Sequence, residues 1–170
     1  MSEPKEIFTN VPEGSIDAFV AQAELMLAGT VQVGIASDSK ATTLMGVYGA
    51  ITVALAVTAA TMLAAQDAER FHALISPCAV SSAIMLVSVL CLARAAEPAD
   101  FYVGGYQPKL LATCARNRTW MMRYVAADLQ LRIEDNRKAL QTTARWTRRA
   151  MAFALLAIIF GVGAFMVSYR

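Results

Sequence analysis

Three long stretches of this 170-residue chain carry no formal charge. No Asp, Glu, Lys or Arg lies between Lys40 and Asp67, between Arg70 and Arg94, or between Arg149 and Arg170. A helix needs roughly 20 apolar residues, at about 1.5 Å of rise each, to cross about 30 Å of hydrocarbon. Each stretch is that long, so the spacing predicts three transmembrane helices, over 41–65, 73–93 and 150–169. The chain is 57% hydrophobic and 16% charged, whereas soluble domains average about 25% charged. A soluble bundle would have to hide three helices that are apolar all round, and the remaining chain is too short to cover them. Transmembrane strands would alternate in polarity and end about every 10 residues. The expected fold is therefore an all-α membrane protein.

The N-terminal Met1–Glu6 stretch is acidic and no apolar run follows it, so it does not read as a signal peptide. The first span is then its own insertion signal. The cysteines are three, an odd number: Cys78 and Cys91 lie inside the second span and Cys114 beyond it. They read as small apolar groups and not as disulfides or metal ligands.

Basic residues sort the two faces. Of 15 Lys and Arg, 11 fall within 94–149. Basic loops stay in the cytoplasm. The expected layout is a cytoplasmic segment 1–40, a span 41–65, a short external turn 66–72, and a span 73–93. A basic cytoplasmic loop and long helix, 94–149, and a span 150–169 follow. The C-terminus then lies opposite the N-terminus. Residues 1–40 have a net charge of −4 and 94–149 a net charge of +6. Opposite charge on two segments leaving one membrane face favours docking; two separately solvated faces also fit.

Within 15–37, Ile16, Phe19, Val20, Ala23, Met26, Leu27 and Val33 recur at helical period, with Ser15 as a candidate N-cap and Asp17 favourably placed in the first turn. Gly29 and Gly34 mark either a bend or a close-packing point. A longer helix, 115–149, carries the stripe Met122, Ala126, Leu129, Ile133, Asn136, Leu140, Ala144, Thr147, Met151 and runs into the third span with no Gly or Pro. Steps alternating between four and three are those of a coiled-coil seam, in which a single Asn can specify register; a solvated Asn at a frayed seam fits equally. The intervening 98–108 segment is a loop by its two prolines and Gly pair. Its Phe101, Tyr102 and Tyr106 suit the headgroup level or stacking on a planar ligand.

Inside the spans, Gly46, Ala50, Ala54 and Thr58 recur every four residues, as do Ala157 and Gly161. Such small residues let helix backbones approach closely. The many Thr and Ser hydroxyls either bond back to their own helix, the commoner case, or line a wet path. Ion-coupled transport is disfavoured because no ionisable group sits deep in a span. Asp38 and Lys40, at the cytoplasmic mouth of the first span, read as a topology anchor. No catalytic residue, metal-ligand cluster or phosphate loop is recognisable, and no cofactor or nucleic-acid polymer is expected.

The order of parts resembles the transmembrane effector family of bacterial Pycsar anti-phage systems. The resemblance rests on Asp38-Ser39-Lys40-Ala41 leading into Thr42-Thr43-Leu44-Met45-Gly46-Val47-Tyr48-Gly49, on the aromatic/Gly loop from Phe101 to Tyr106, and on Leu131-Arg132-Ile133-Glu134-Asp135-Asn136-Arg137-Lys138 in the late helix. It covers almost the whole chain, though Gly104-Gly105-Tyr106 departs from a more usual Phe-Gly arrangement. It implies a bacterial inner-membrane location and a homo-oligomer paired with a nucleotide cyclase. The cyclase product, cCMP or cUMP, would trigger membrane damage and abortive infection. Asp38, Lys40, Ala41, Asn136 and Lys138 occupy the motif positions. A cyclic nucleotide has one negative charge and a planar base, so Arg116, Arg118, Arg123 and Tyr106 are the candidate binding residues. Topology signals and lipid-headgroup contacts account for the same arginines. The alternative is a membrane scaffold or accessory subunit that recruits a protein through its cytoplasmic helices.

Overall fold

A computed structural model describes residues 12–65, 68–97, 101–103 and 118–168. It contains three long helices, α1 (Glu13–Ala64, 52 residues), α2 (Ala68–Ala95, 28 residues) and α3 (Arg118–Ser168, 51 residues). There is no strand among the described residues. All three helices are long and apolar enough to cross a membrane. Only 11%, 22% and 17% of their apolar windows are buried within the protein. Side chains this apolar and this exposed are consistent with a multi-pass membrane protein.

The first helix is continuous through both the amphipathic segment and the first span. Its start differs from expectation. Ser15 is not the cap but lies in the first turn, its N–H donating to the Pro12 carbonyl at 3.0 Å. The second helix begins at Ala68, so most of the 66–72 segment expected as a turn is helical. Pro77 lies inside α2 without ending it. In a membrane, neighbouring helices and hydroxyls can take up the backbone group a proline frees.

The chain divides into two compact units, one of residues 1–36 and 98–141 and the other of 37–97 and 142–170. In the first unit, Ile16, Val20 and Leu27 of α1 pack on Val125, Ala126, Leu129 and Ile133 of α3. The two segments run parallel, since Asp17 meets Arg118 and Thr30 meets Asn136. Phe19, Met26 and Val33, expected on this apolar stripe, face outward at 49%, 41% and 57% exposure. They sit at the edge of the helical arc, beyond the width that one partner helix covers.

In the second unit, α2 packs antiparallel against α3. Ser81 donates to the Ala157 carbonyl (3.4 Å) and Ser88, two turns on, to the Ala150 carbonyl (2.7 Å). Ser82 donates to the Thr52 carbonyl of α1 at 3.2 Å. Threonines behave differently. Thr42, Thr43, Thr52, Thr58 and Thr61 all donate back to their own helix, three or four residues earlier. Cys91 is buried and Cys78 half-buried, both as free thiols, while Cys114 lies outside the described residues.

Along α3 the buried positions are Val125, Ala126, Ala127, Leu129, Ile133, Asn136, Thr143, Thr147, Ala150, Ala154 and Ala157. The expected stripe drifted after Leu140. Ala144 and Met151 are exposed, and Thr143 and Ala150 take the seam. From Ala126 to Ala157, with half-buried Leu140 between Asn136 and Thr143, a seam of the buried positions alternates steps of three and four, the spacing of a left-handed supercoil.

Candidate functional site

The densest polar contacts of the first unit centre on Asn136. Its side chain is 1% exposed, inside the α1–α3 seam. Its Oδ1 accepts the Tyr102 N–H at 3.0 Å, and its Nδ2 donates to the Tyr102 carbonyl at 3.1 Å. The same Nδ2 donates to Thr30 Oγ1 at 3.2 Å. Thr30 passes its own hydroxyl proton to the Leu27 carbonyl at 2.7 Å. One amide therefore ties α1, the 101–103 segment and α3 together. It pairs with Tyr102 as a neighbouring strand would, satisfying both backbone groups of a residue that has no sheet.

Two neighbours complete this latch. Gly34 is buried, and a Cβ placed there would lie 2.7 Å from Phe101 Cζ. Gly34 is thus the close-packing point, and Phe101 occupies the space a side chain would need. Gly29 meets nothing within 4 Å and has no such role. Arg132 lies with its guanidinium carbon 5.8 Å from the Tyr102 ring centre. It donates through Nε to Asp128 at 2.7 Å and reaches the Val103 carbonyl at 3.5 Å.

Of the four candidate binding residues, Arg118 and Arg123 are described. Arg116 and Tyr106 lie outside the described residues. Arg118 is exposed and paired with Asp17 at 3.1 Å. Arg123 is half-buried and, five residues on, is turned about 140° around the helix from Arg118. Trp120 and Tyr124 stack on this same stretch, with ring centres 5.8 Å apart and planes at 18°. This pair was not singled out in the sequence, although a spacing of four residues, one helical turn, could have marked it. Thr30, Tyr102 and Arg132 were less legible, because nothing local in the sequence assigns partners to Asn136.

Of the motif residues, Lys138 pairs with Asp135 at 2.9 Å, and that hydrogen bond and charge raise its amine above the usual 10.5. The contact therefore supports folding below that range and is lost as pH rises through the raised value. Asp38 accepts the Thr42 hydroxyl on its backbone carbonyl at 2.9 Å, Ala41 is fully buried, and Lys40 is exposed. Ala157 is buried and Gly161 packs against Ser81, so this pair serves contact between α3 and α2. Gly46, Ala50 and Ala54 face outward, and a Cβ at Gly46 would meet nothing within 4 Å. Among the described residues, no group of three or more His, Cys, Asp or Glu is placed to hold a metal. The site offers a buried amide and a half-buried guanidinium with aromatic faces. This chemistry suits recognition and conformational control.

No protein-family model matches the chain, and no curated protein or solved structure matches it significantly.

Proposed function

We propose that this chain is an oligomeric multi-pass effector of a bacterial anti-phage system, which impairs the inner membrane when a cyclic pyrimidine nucleotide, cCMP or cUMP, binds its cytoplasmic part. A partner nucleotide cyclase supplies that signal. The 1–40 and 94–149 segments are cytoplasmic, and the 66–72 segment and C-terminus lie on the other side. The observation that carries the reading is the Asn136 latch. It joins an acidic helix, an aromatic segment and a basic helix through polar contacts, and α1 and α3 are also the helices that continue into the apolar runs.

A nucleotide phosphate has a plausible point of competition in Arg118. Its exposed pair with Asp17 is worth only about 0–1 kcal/mol, so an anion with bidentate geometry can displace the carboxylate. The Trp120–Tyr124 pair, on the same helix, offers a face for a base. Membrane potential is the direct test. Inducing the protein should leave it unchanged, and adding cCMP or cUMP should collapse it. Calorimetry in detergent should show binding that weakens when Arg118→Ala and Arg123→Ala are combined. No change in potential or viability with any cyclic nucleotide would sink the proposal.

The scaffold reading is favoured by one observation, the exposure of Leu25, Val33 and Ile35 on α1 at 69%, 57% and 65%. It predicts harmless overexpression and recovery of a protein partner through that helix.

A further inference from the structure

The last polar turn of α3 before its charge-free run contains Arg145, Trp146, Arg148 and Arg149. The three arginines stand at i, i+3 and i+4, so they share one helix face. All are exposed, and none forms an ion pair with a described residue. Arg94, at the end of α2, differs, since Glu97 neutralises it at 2.7 Å. Trp146 is half-buried and packs on the cluster of Cys91, Leu92 and Ala150, which Leu44, Met45 and Tyr48 of α1 also join. These residues open or close the three apolar runs, so the cluster marks one rim of the apolar layer. Arg149 lies over the Trp146 ring, its guanidinium carbon 4.7 Å from the centre. The ring is held by the core, and it holds the arginine in turn.

Immediately along the same face come Ala152, Leu155, Leu156 and Ile159, all exposed. This places three guanidiniums, with no ion-pair partner among the described residues, above a strip of bare hydrocarbon surface. Guanidinium suits a phosphate diester by its planar fork, and Trp suits the headgroup level by its amphipathic ring. A free phosphate would use the arginines but not the apolar strip. An acidic protein segment would also leave that strip unused.

We infer that Arg145, Arg148 and Arg149, with Trp146, form a binding site for the headgroup phosphate of an anionic phospholipid, whose acyl chains lie along Ala152, Leu155, Leu156 and Ile159. The inference rests on α3 crossing the bilayer and not on any nucleotide response.

The chain has two tryptophans, so Trp120→Phe leaves Trp146 as the reporter. The full chain with that change is reconstituted in phosphatidylcholine vesicles containing a bromine-labelled lipid that quenches tryptophan. Labelled phosphatidylglycerol should quench Trp146 at a mole fraction about threefold or more below that needed for labelled phosphatidylcholine. Arg145→Gln with Arg148→Gln should abolish that preference while helicity and insertion persist. Inorganic phosphate should not reverse it. Equal quenching by the two lipids, a preference that survives the double substitution, or reversal by inorganic phosphate would each overturn the assignment. Should the double variant fail to insert, native mass spectrometry of the unmodified chain from mixed-lipid micelles decides. Retained phosphatidylglycerol supports the site, and equal retention of both lipids refutes it.

Discussion

An amide buried in an apolar seam must satisfy its oxygen and its N–H groups, and a buried group left without a partner costs about 1–3 kcal/mol. Asn136 meets that demand through Tyr102 and Thr30. Asn136→Ala should lower stability by about that amount, because it orphans both backbone groups of Tyr102. Asn136→Asp should be worse, since a carboxylate would face the Tyr102 carbonyl. Thermal unfolding in detergent followed by circular dichroism orders the two, and the opposite order would mean that the amide orientation is not what matters. The glycines make a second comparison. Gly34→Ala must displace Phe101 and should cost about 1–3 kcal/mol. Gly29→Ala meets open space and should gain up to about 1 kcal/mol. Equal effects in the same unfolding assay would contradict the different surroundings of the two glycines.

The three helices divide their hydroxyl chemistry by residue type. Serines of α2 donate across to neighbouring helices, and the bond of fully buried Ser88 is much the shorter of the two made to α3. Interhelical bonds in membranes average about 0.6 kcal/mol. Ser88→Ala should therefore weaken association of α2 with α3 by about that amount, and Ser81→Ala by less; unfolding in detergent reads the difference. The existence and rough place of all three apolar runs were legible, because missing charge over a helix length is a strong and local signal. The α3 seam was legible only to Leu140. Beyond it, Ala, Thr and Met are all acceptable in a packed seam, so composition no longer distinguished Thr143 from Ala144 or Ala150 from Met151. The opposite charges of 1–40 and 94–149 fitted either docking or two separately solvated faces. Among the described residues the first unit relies on an apolar seam with one amide in it, and one exposed ion pair, Asp17–Arg118, bridges α1 and α3.

For the molecule as a whole, most of the apolar surface faces outward. Gly46, Ala50 and Ala54 lie on that surface, which frees them to pack against a second copy. Gly46→Leu should leave the protomer's thermal stability unchanged and shift a cross-linking ladder toward monomer. A ladder identical to the parent's would remove this face from any assembly. A groove of about 600 Å³ runs between Leu55, Leu74, Pro77, Cys78, Ser81 and Gly161. Its walls are almost wholly apolar.

The self-bonded threonines carry a last consequence. A hydroxyl whose proton is already given to its own helix has no donor left to offer a water molecule. Thr42, Thr43, Thr58 and Thr61 are exposed yet spent in this way. Toward an approaching ion these threonines keep only acceptor lone pairs, and Ser81, Ser82 and Ser88 are engaged with neighbouring helices. Among the described residues, these hydroxyls give water few donors along a single protomer; if this protein opens a membrane, we expect the water to run between copies or through lipid that they disturb.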